Sequence, residues 1–99
     1  MKTMKIVIKE PVLFFSDGDE DFFFEWLKSI EAVKNFVRVP RGLEITLTDP
    51  VHDFCLRELL GLTMRYGPEM KWLKVLQTPE NESWFADERA YWHEKVFKD

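Results

Sequence analysis

A chain of 99 residues holds enough material for one hydrophobic core and none for a second. Its apolar fraction of 45% fills such a core and its charged fraction of 32% keeps the outside wet, which argues against intrinsic disorder. The net charge of −4 comes without a basic stripe, which argues against direct nucleic-acid binding, since that needs clustered Lys and Arg to displace counterions from phosphate.

The chain opens on an alternating run. Met4, Ile6 and Ile8 face one way against Lys5 and Lys9, the period of a half-buried strand that Pro11 then ends. The apolar core of that run is too short for a secretory signal, and no uncharged stretch approaches the ~20 residues of a membrane span. Cys55 is the only cysteine, so no internal disulfide forms. Together these features predict a soluble cytoplasmic protein with no membrane association. Val12 to Phe15 read as an extended continuation.

Ser16-Asp17-Gly18-Asp19-Glu20 reads as a helix start, with Asp17 accepting from first-turn N–H groups and Glu20 placed as a capping-box acid. Phe23, Trp26, Leu27, Ile30 and Val33 follow at spacings of three and four, predicting a helix from about Asp19 to Lys34. Phe22 flanks that face and Phe24 falls off it. Phe36–Val39 and Leu43–Thr48 alternate and are joined by Pro40-Arg41-Gly42, a hairpin signal. Leu43, Ile45 and Leu47 share one face and Glu44, Thr46 and Thr48 the other, so the sheet should be buried on one side and wet on the other.

Asp49-Pro50 reads as an N-cap followed by proline at the first helical position. The helix stripe that follows is Val51, Phe54, Cys55, Leu59, Leu62 and Tyr66, and Gly67-Pro68 stops it. Met70, Leu73 and Leu76 favour a helix over a short strand in the next segment. The aromatic end of the chain is expected to be helical from about Ala86 to Phe97. The fold class is therefore α+β: a small, mainly antiparallel sheet of about three strands, covered on one face by three to four helices.

Catalytic chemistry finds little support. His52 and Cys55 are three apart on a predicted helix and could meet as a thiol dyad, yet Asp53 diverges from His52 and Cys55 lies in the apolar stripe. No Cys-x-x-Cys, His-Glu-x-x-His or paired-histidine spacing marks a metal site. Asp17, Asp19 and Asp21 resemble the start of a calcium loop, but Phe22 stands where glycine belongs and Lys28 where the closing glutamate belongs. The four glycines never cluster into a phosphate-cradling loop. No catalytic motif, metal or cofactor is expected.

Two features point instead to a protein partner. From Glu10 to Glu25 every charge is negative, which would steer a basic partner. Five aromatic residues (Trp84, Phe85, Tyr91, Trp92 and Phe97) crowd the last sixteen positions, where they either close the core or anchor an interface. The expected function is a non-enzymatic interaction module, such as an inhibitor, immunity protein or small regulatory subunit. Asp17, Asp19, Glu20 and Asp21 would supply charge, and Trp84, Tyr91 and Trp92 the anchors. No motif of a particular immunity or antitoxin family is present. The alternatives are a stand-alone homodimer with the aromatic row as its self-interface, and a thiol-dependent enzyme using Cys55 and His52.

Overall fold

The computed structural model describes residues 2–8, 16–66 and 70–98. Three strands, β1 (Thr3–Ile8), β2 (Val33–Val39) and β3 (Gly42–Thr48), form an antiparallel sheet in the order β1-β3-β2. This is the expected small α+β architecture. Ile6 and Phe36 flank Ile45 across the sheet, and Met4 and Val33 flank Leu47. Leu43, Ile45 and Leu47 are fully buried, while Lys5 and Asn35 on the opposite face are exposed.

An irregularity between Val33 and Asn35 shifts the β2 register by one residue. Because side chains alternate along a strand, that extra residue brings Val33 and Phe36, three apart, to the same core face. It also turns Arg38 toward the first helix. The β2–β3 turn closes through Pro40 and Arg41 onto Gly42, whose φ of 143° suits a residue without a Cβ.

Helix α1 (Asp17–Ser29) is shorter than its apolar spacing predicts. Its cap is Ser16, whose hydroxyl accepts from the Asp19 N–H at 3.2 Å, so the capping role falls one residue before Asp17. Glu20 does not close a capping box and instead pairs with Arg38 at 3.1 Å. At the other end Ile30 is extended and Val33 enters the sheet, with Ala32 O accepting from Thr48 N at 2.9 Å. Pairing with β3 satisfies backbone groups that a longer helix would have claimed.

Helix α2 (Asp53–Tyr66) starts later than expected. The Asp49–Pro50 peptide is cis, the Asp49 N–H donates to Lys2 O at 3.0 Å, and the first helical bond runs from Leu56 N to His52 O. Asp49 therefore joins the β1 end of the sheet rather than capping α2. The Gly67-Pro68 stop signal and the Val12–Phe15 extension lie outside the described residues.

Beyond α2, Lys71–Leu76 form a 3₁₀ helix with Leu73 and Leu76 buried, the three-residue period that such a helix presents on one face. Buried Asn81 ties it to the next segment. Its side chain accepts from Thr78 N at 2.8 Å and donates to Leu76 O at 3.0 Å. The single C-terminal helix expected over 86–97 is not formed. Two short helices, α3 (Glu82–Phe85) and α4 (His93–Phe97), are separated by turns. Asp87 accepts from the Arg89 N–H at 2.9 Å, and the Trp92 indole donates to Phe85 O at 2.7 Å. Side chains thereby take over backbone partners that a continuous helix would need.

Candidate functional site

Helices α1 and α2 pack antiparallel. Near the α1 start the Phe23 ring meets Tyr66, with centroids 5.7 Å apart, and further along the Trp26 indole donates to Glu58 Oε1 at 3.2 Å. Phe23 and Leu27 point inward to the core. The neighbouring positions, Asp19, Phe22, Glu25 and Trp26, line an open groove of about 740 Å³ whose other wall is Gly61, Arg65 and Tyr66. Gly61 adds no side chain to the floor, and a Cβ there would rest in ordinary contact with the Trp26 ring at 3.5 Å.

The groove is apolar at its floor and charged at its rim. Phe22 is 70% exposed, a large cost in hydrated apolar surface for a residue inside a helix. The Arg65 guanidinium lies 5.4 Å from the Tyr66 ring centroid. Its pKa is raised by a hydrogen bond with Tyr66, by attraction to the Tyr66 oxygen and, less strongly, by Asp19. Arg65, like any exposed guanidinium, is a cation, and it stands across the groove from Asp19 and Glu25.

The acidic cluster divides by helical phase. Asp19 turns into the groove, Asp17 and Asp21 project to solvent one turn apart, and Glu20 faces β2 and Arg38. Arg38 also covers the Phe24 ring at 5.3 Å, and Phe24 stacks on Phe36. Glu10 lies outside the described residues.

The C-terminal aromatics are gathered elsewhere. Trp84 packs edge-on to Trp92 with centroids 6.0 Å apart, and the Arg57 guanidinium sits 3.9 Å from the Trp84 ring centroid. Both Trp rings are half-buried against the core, and Phe85 beneath them is fully buried. Tyr91 packs edge-on to Trp92 but stays largely exposed. Trp84, Tyr91 and Trp92 therefore form one contiguous cluster of rings. The Asp87 carboxyl is held below its ordinary range chiefly by the Arg89 side chain and by the Arg89 N–H.

His52 and Cys55 line one small cleft of about 280 Å³ together with Glu31, Lys34 and Asp49. Cys55 is buried and in no disulfide, and His52 is exposed. Among the described residues no group of three His, Cys, Asp or Glu side chains is placed to hold a metal ion. Among the same residues, no helix is long and apolar enough to cross a membrane.

Sequence periodicity misplaced Phe54. Grouped with the buried stripe of α2, it is 75% exposed. The inward arc of α2 is Cys55, Leu56, Leu59, Leu60, Leu62 and Thr63, and Phe54 lies on the opposite side of the helix, in phase with Glu58, Gly61 and Arg65. The contribution of Phe22 and Trp26 to a groove was likewise not visible, because it depends on which face of α2 stands beside α1. No protein-family model, curated protein or solved structure matches this chain.

Proposed function

We propose that this chain is a cytoplasmic, non-enzymatic protein–protein interaction module that docks a basic partner protein on the α1–α2 face. The observation that carries this reading is Phe22, exposed on an acidic helix above a groove floored by Trp26 and Gly61. An aromatic anchor beside unburied apolar surface, with Asp19 and Glu25 on one rim and Arg65 on the other, is the composition of an interface centre with a charged rim. The role is that of an inhibitor, immunity protein or small regulatory subunit. Asp17 and Asp21 contribute long-range attraction, and Asp19 and Glu25 act at close range.

The test is capture from the source organism's lysate on the immobilised chain at low and high salt, beside an Asp19→Lys/Glu25→Lys variant. The expected result is one stoichiometric basic protein, retained at low salt by the parent and lost by the variant. Equal capture by both proteins, or none by either, overturns the reading. A mass that rises with concentration in light scattering supports the homodimer alternative instead. A second reading, thiol chemistry, draws on the cleft shared by Cys55 and His52. It is removed if Cys55 is alkylated only as fast as the protein unfolds.

A further inference from the structure

We infer that β1, an open edge of the sheet, pairs antiparallel with the β1 strand of a second copy of this chain about a two-fold axis at Ile6. The product is one continuous sheet with three strands from each copy. This contact is separate from the α1–α2 face, because α1 lies toward the other edge, where Glu20 reaches Arg38 on β2.

The main chain of β1 is open along its length. In the order β1-β3-β2, β1 is paired on one side only among the described residues. Lys2 and Asp49 follow Thr3 and Thr48 in the register, and the Asp49 N–H donates to Lys2 O at 3.0 Å, the mark of a closely bonded pair. Such pairs alternate along an antiparallel ladder. Met4, Ile6 and Ile8 therefore direct their N–H and C=O groups at β3, and Thr3, Lys5 and Val7 direct theirs away from the sheet. The bond from Thr48 N to Ala32 O agrees, since it turns the Thr48 main chain toward β2. A row of outward N–H and C=O groups is a template for another strand. The β2 edge is broken by the irregularity between Val33 and Asn35, a device that discourages pairing. β1 has neither an irregularity nor a proline.

The side chains select a second copy and set its register. Met4, Ile6 and Ile8 are only partly buried against the core. With two β1 strands centred on Ile6, Ile6 meets its own copy and Met4 meets Ile8, so this half-buried row is closed from both sides. On the other face Lys5 comes to stand beside Val7 of the second copy. Val7 is exposed and neighbours Glu44 across the sheet. The Lys5 methylenes cover that valine and carry the ammonium toward Glu44 of the second copy, two strands and roughly 10 Å away between Cα positions. Within one chain, neither Lys5 nor Glu44 has an ion-pair partner among the described residues. The two-fold axis makes this contact twice. A register centred on Lys5 would set two lysines directly opposite each other, and one centred on Met4 would leave Ile8 without a partner. Charge and apolar pairing thus agree on Ile6.

The test is sedimentation of the full chain between about 1 μM and 1 mM, where a monomer–dimer equilibrium is expected. Lys5→Pro removes an outward N–H and keeps the bonds to β3, so it should raise the dissociation constant at least about tenfold. Val7→Lys, at an exposed position, puts a second ammonium opposite Lys5 and should raise it about fivefold. Tyr91→Ala should leave it unchanged. In a Cys55→Ala background, Ile6→Cys should form a disulfide-linked dimer on mild oxidation, and Tyr91→Cys should not. Urea midpoints verify that each variant is folded, and if Lys5→Pro is not, Val7→Lys and the cross-link decide. A chain that stays monomeric at about 1 mM, or a dimer that folded Lys5→Pro and Val7→Lys leave intact, overturns the inference. A dimer abolished by Tyr91→Ala instead also overturns it, and that outcome alone favours the homodimer built on the aromatic row. Dimerisation through β1 leaves the docking reading to stand or fall by lysate capture.

Discussion

The α1–α2 groove and the C-terminal cluster are both rich in aromatic rings, but the rings meet different surroundings. In the cluster, Trp92 donates to the Phe85 carbonyl, Trp84 lies under Arg57 and edge-on to Trp92, and Phe97 packs edge-on to Phe85. Apart from Tyr91, each of these rings is buried or half-buried. In the groove, Trp26 has one polar partner, Glu58, and Phe22 extends past the rim into water. Aromatic density along the sequence therefore marks where the chain closes its own core. A lone ring exposed beside a second helix, by contrast, contributes little to that closure, and it is there that we propose an outside surface fits.

The largest expected effect separates these two regions directly. Phe85→Ala empties a fully buried site and should cost about 3–5 kcal/mol of stability. Phe22→Ala removes a ring already mostly hydrated and should cost within about 0.5 kcal/mol. Urea denaturation of the two variants measures both. Comparable losses would place Phe22 in the core and break the comparison.

A pair of Trp→Phe substitutions sharpens it within the cluster. The Trp92 indole N–H is hydrogen-bonded, whereas the Trp84 indole nitrogen is buried with no hydrogen-bond partner among the described residues. Both changes shrink a half-buried ring, but only Trp92→Phe strands a carbonyl. Trp92→Phe should therefore be the more destabilising by about 1–2 kcal/mol, read from the difference in denaturation midpoints. Equal losses would mean that ring volume alone holds the cluster together.

The smallest effect concerns charge. Because the Asp87 carboxyl titrates below its ordinary range, its contribution to stability is present above the unfolded carboxylate pKa and lost as pH falls through the lower folded value. Arg89→Gln should move the Asp87 carboxyl midpoint, followed by NMR, upward toward the usual value of about 3.9. An unchanged midpoint would mean that the Arg89 N–H, which the variant retains, holds the carboxyl by itself.

The three strands, the hairpin at Pro40-Arg41-Gly42 and the two main helices were all legible in the sequence. Each depends on local periodicity and turn chemistry, which neighbouring residues impose on one another. Helix ends were less legible. Val33 has an apolar spacing that suits α1, yet it pairs with Leu47, and Asp49 has the chemistry of a cap, yet its N–H serves Lys2 O. In both cases a long-range backbone bond competes with a local one, and the sequence around the residue does not contain its partner.

The site depended on tertiary structure even more strongly. The sequence by itself determined that α1 is acidic, that Phe22 falls beside its buried stripe and that rings crowd the chain's end. Only the packed structure decided that Gly61 and Tyr66 stand across from Trp26 and Phe22, that Phe54 points outward, and that Glu20 is drawn away to Arg38. A groove is the space between two helices. Its existence and lining follow from the angle and register at which separately encoded helices meet, set by the burial of Phe23, Leu27, Leu59 and Leu62 on their inner faces.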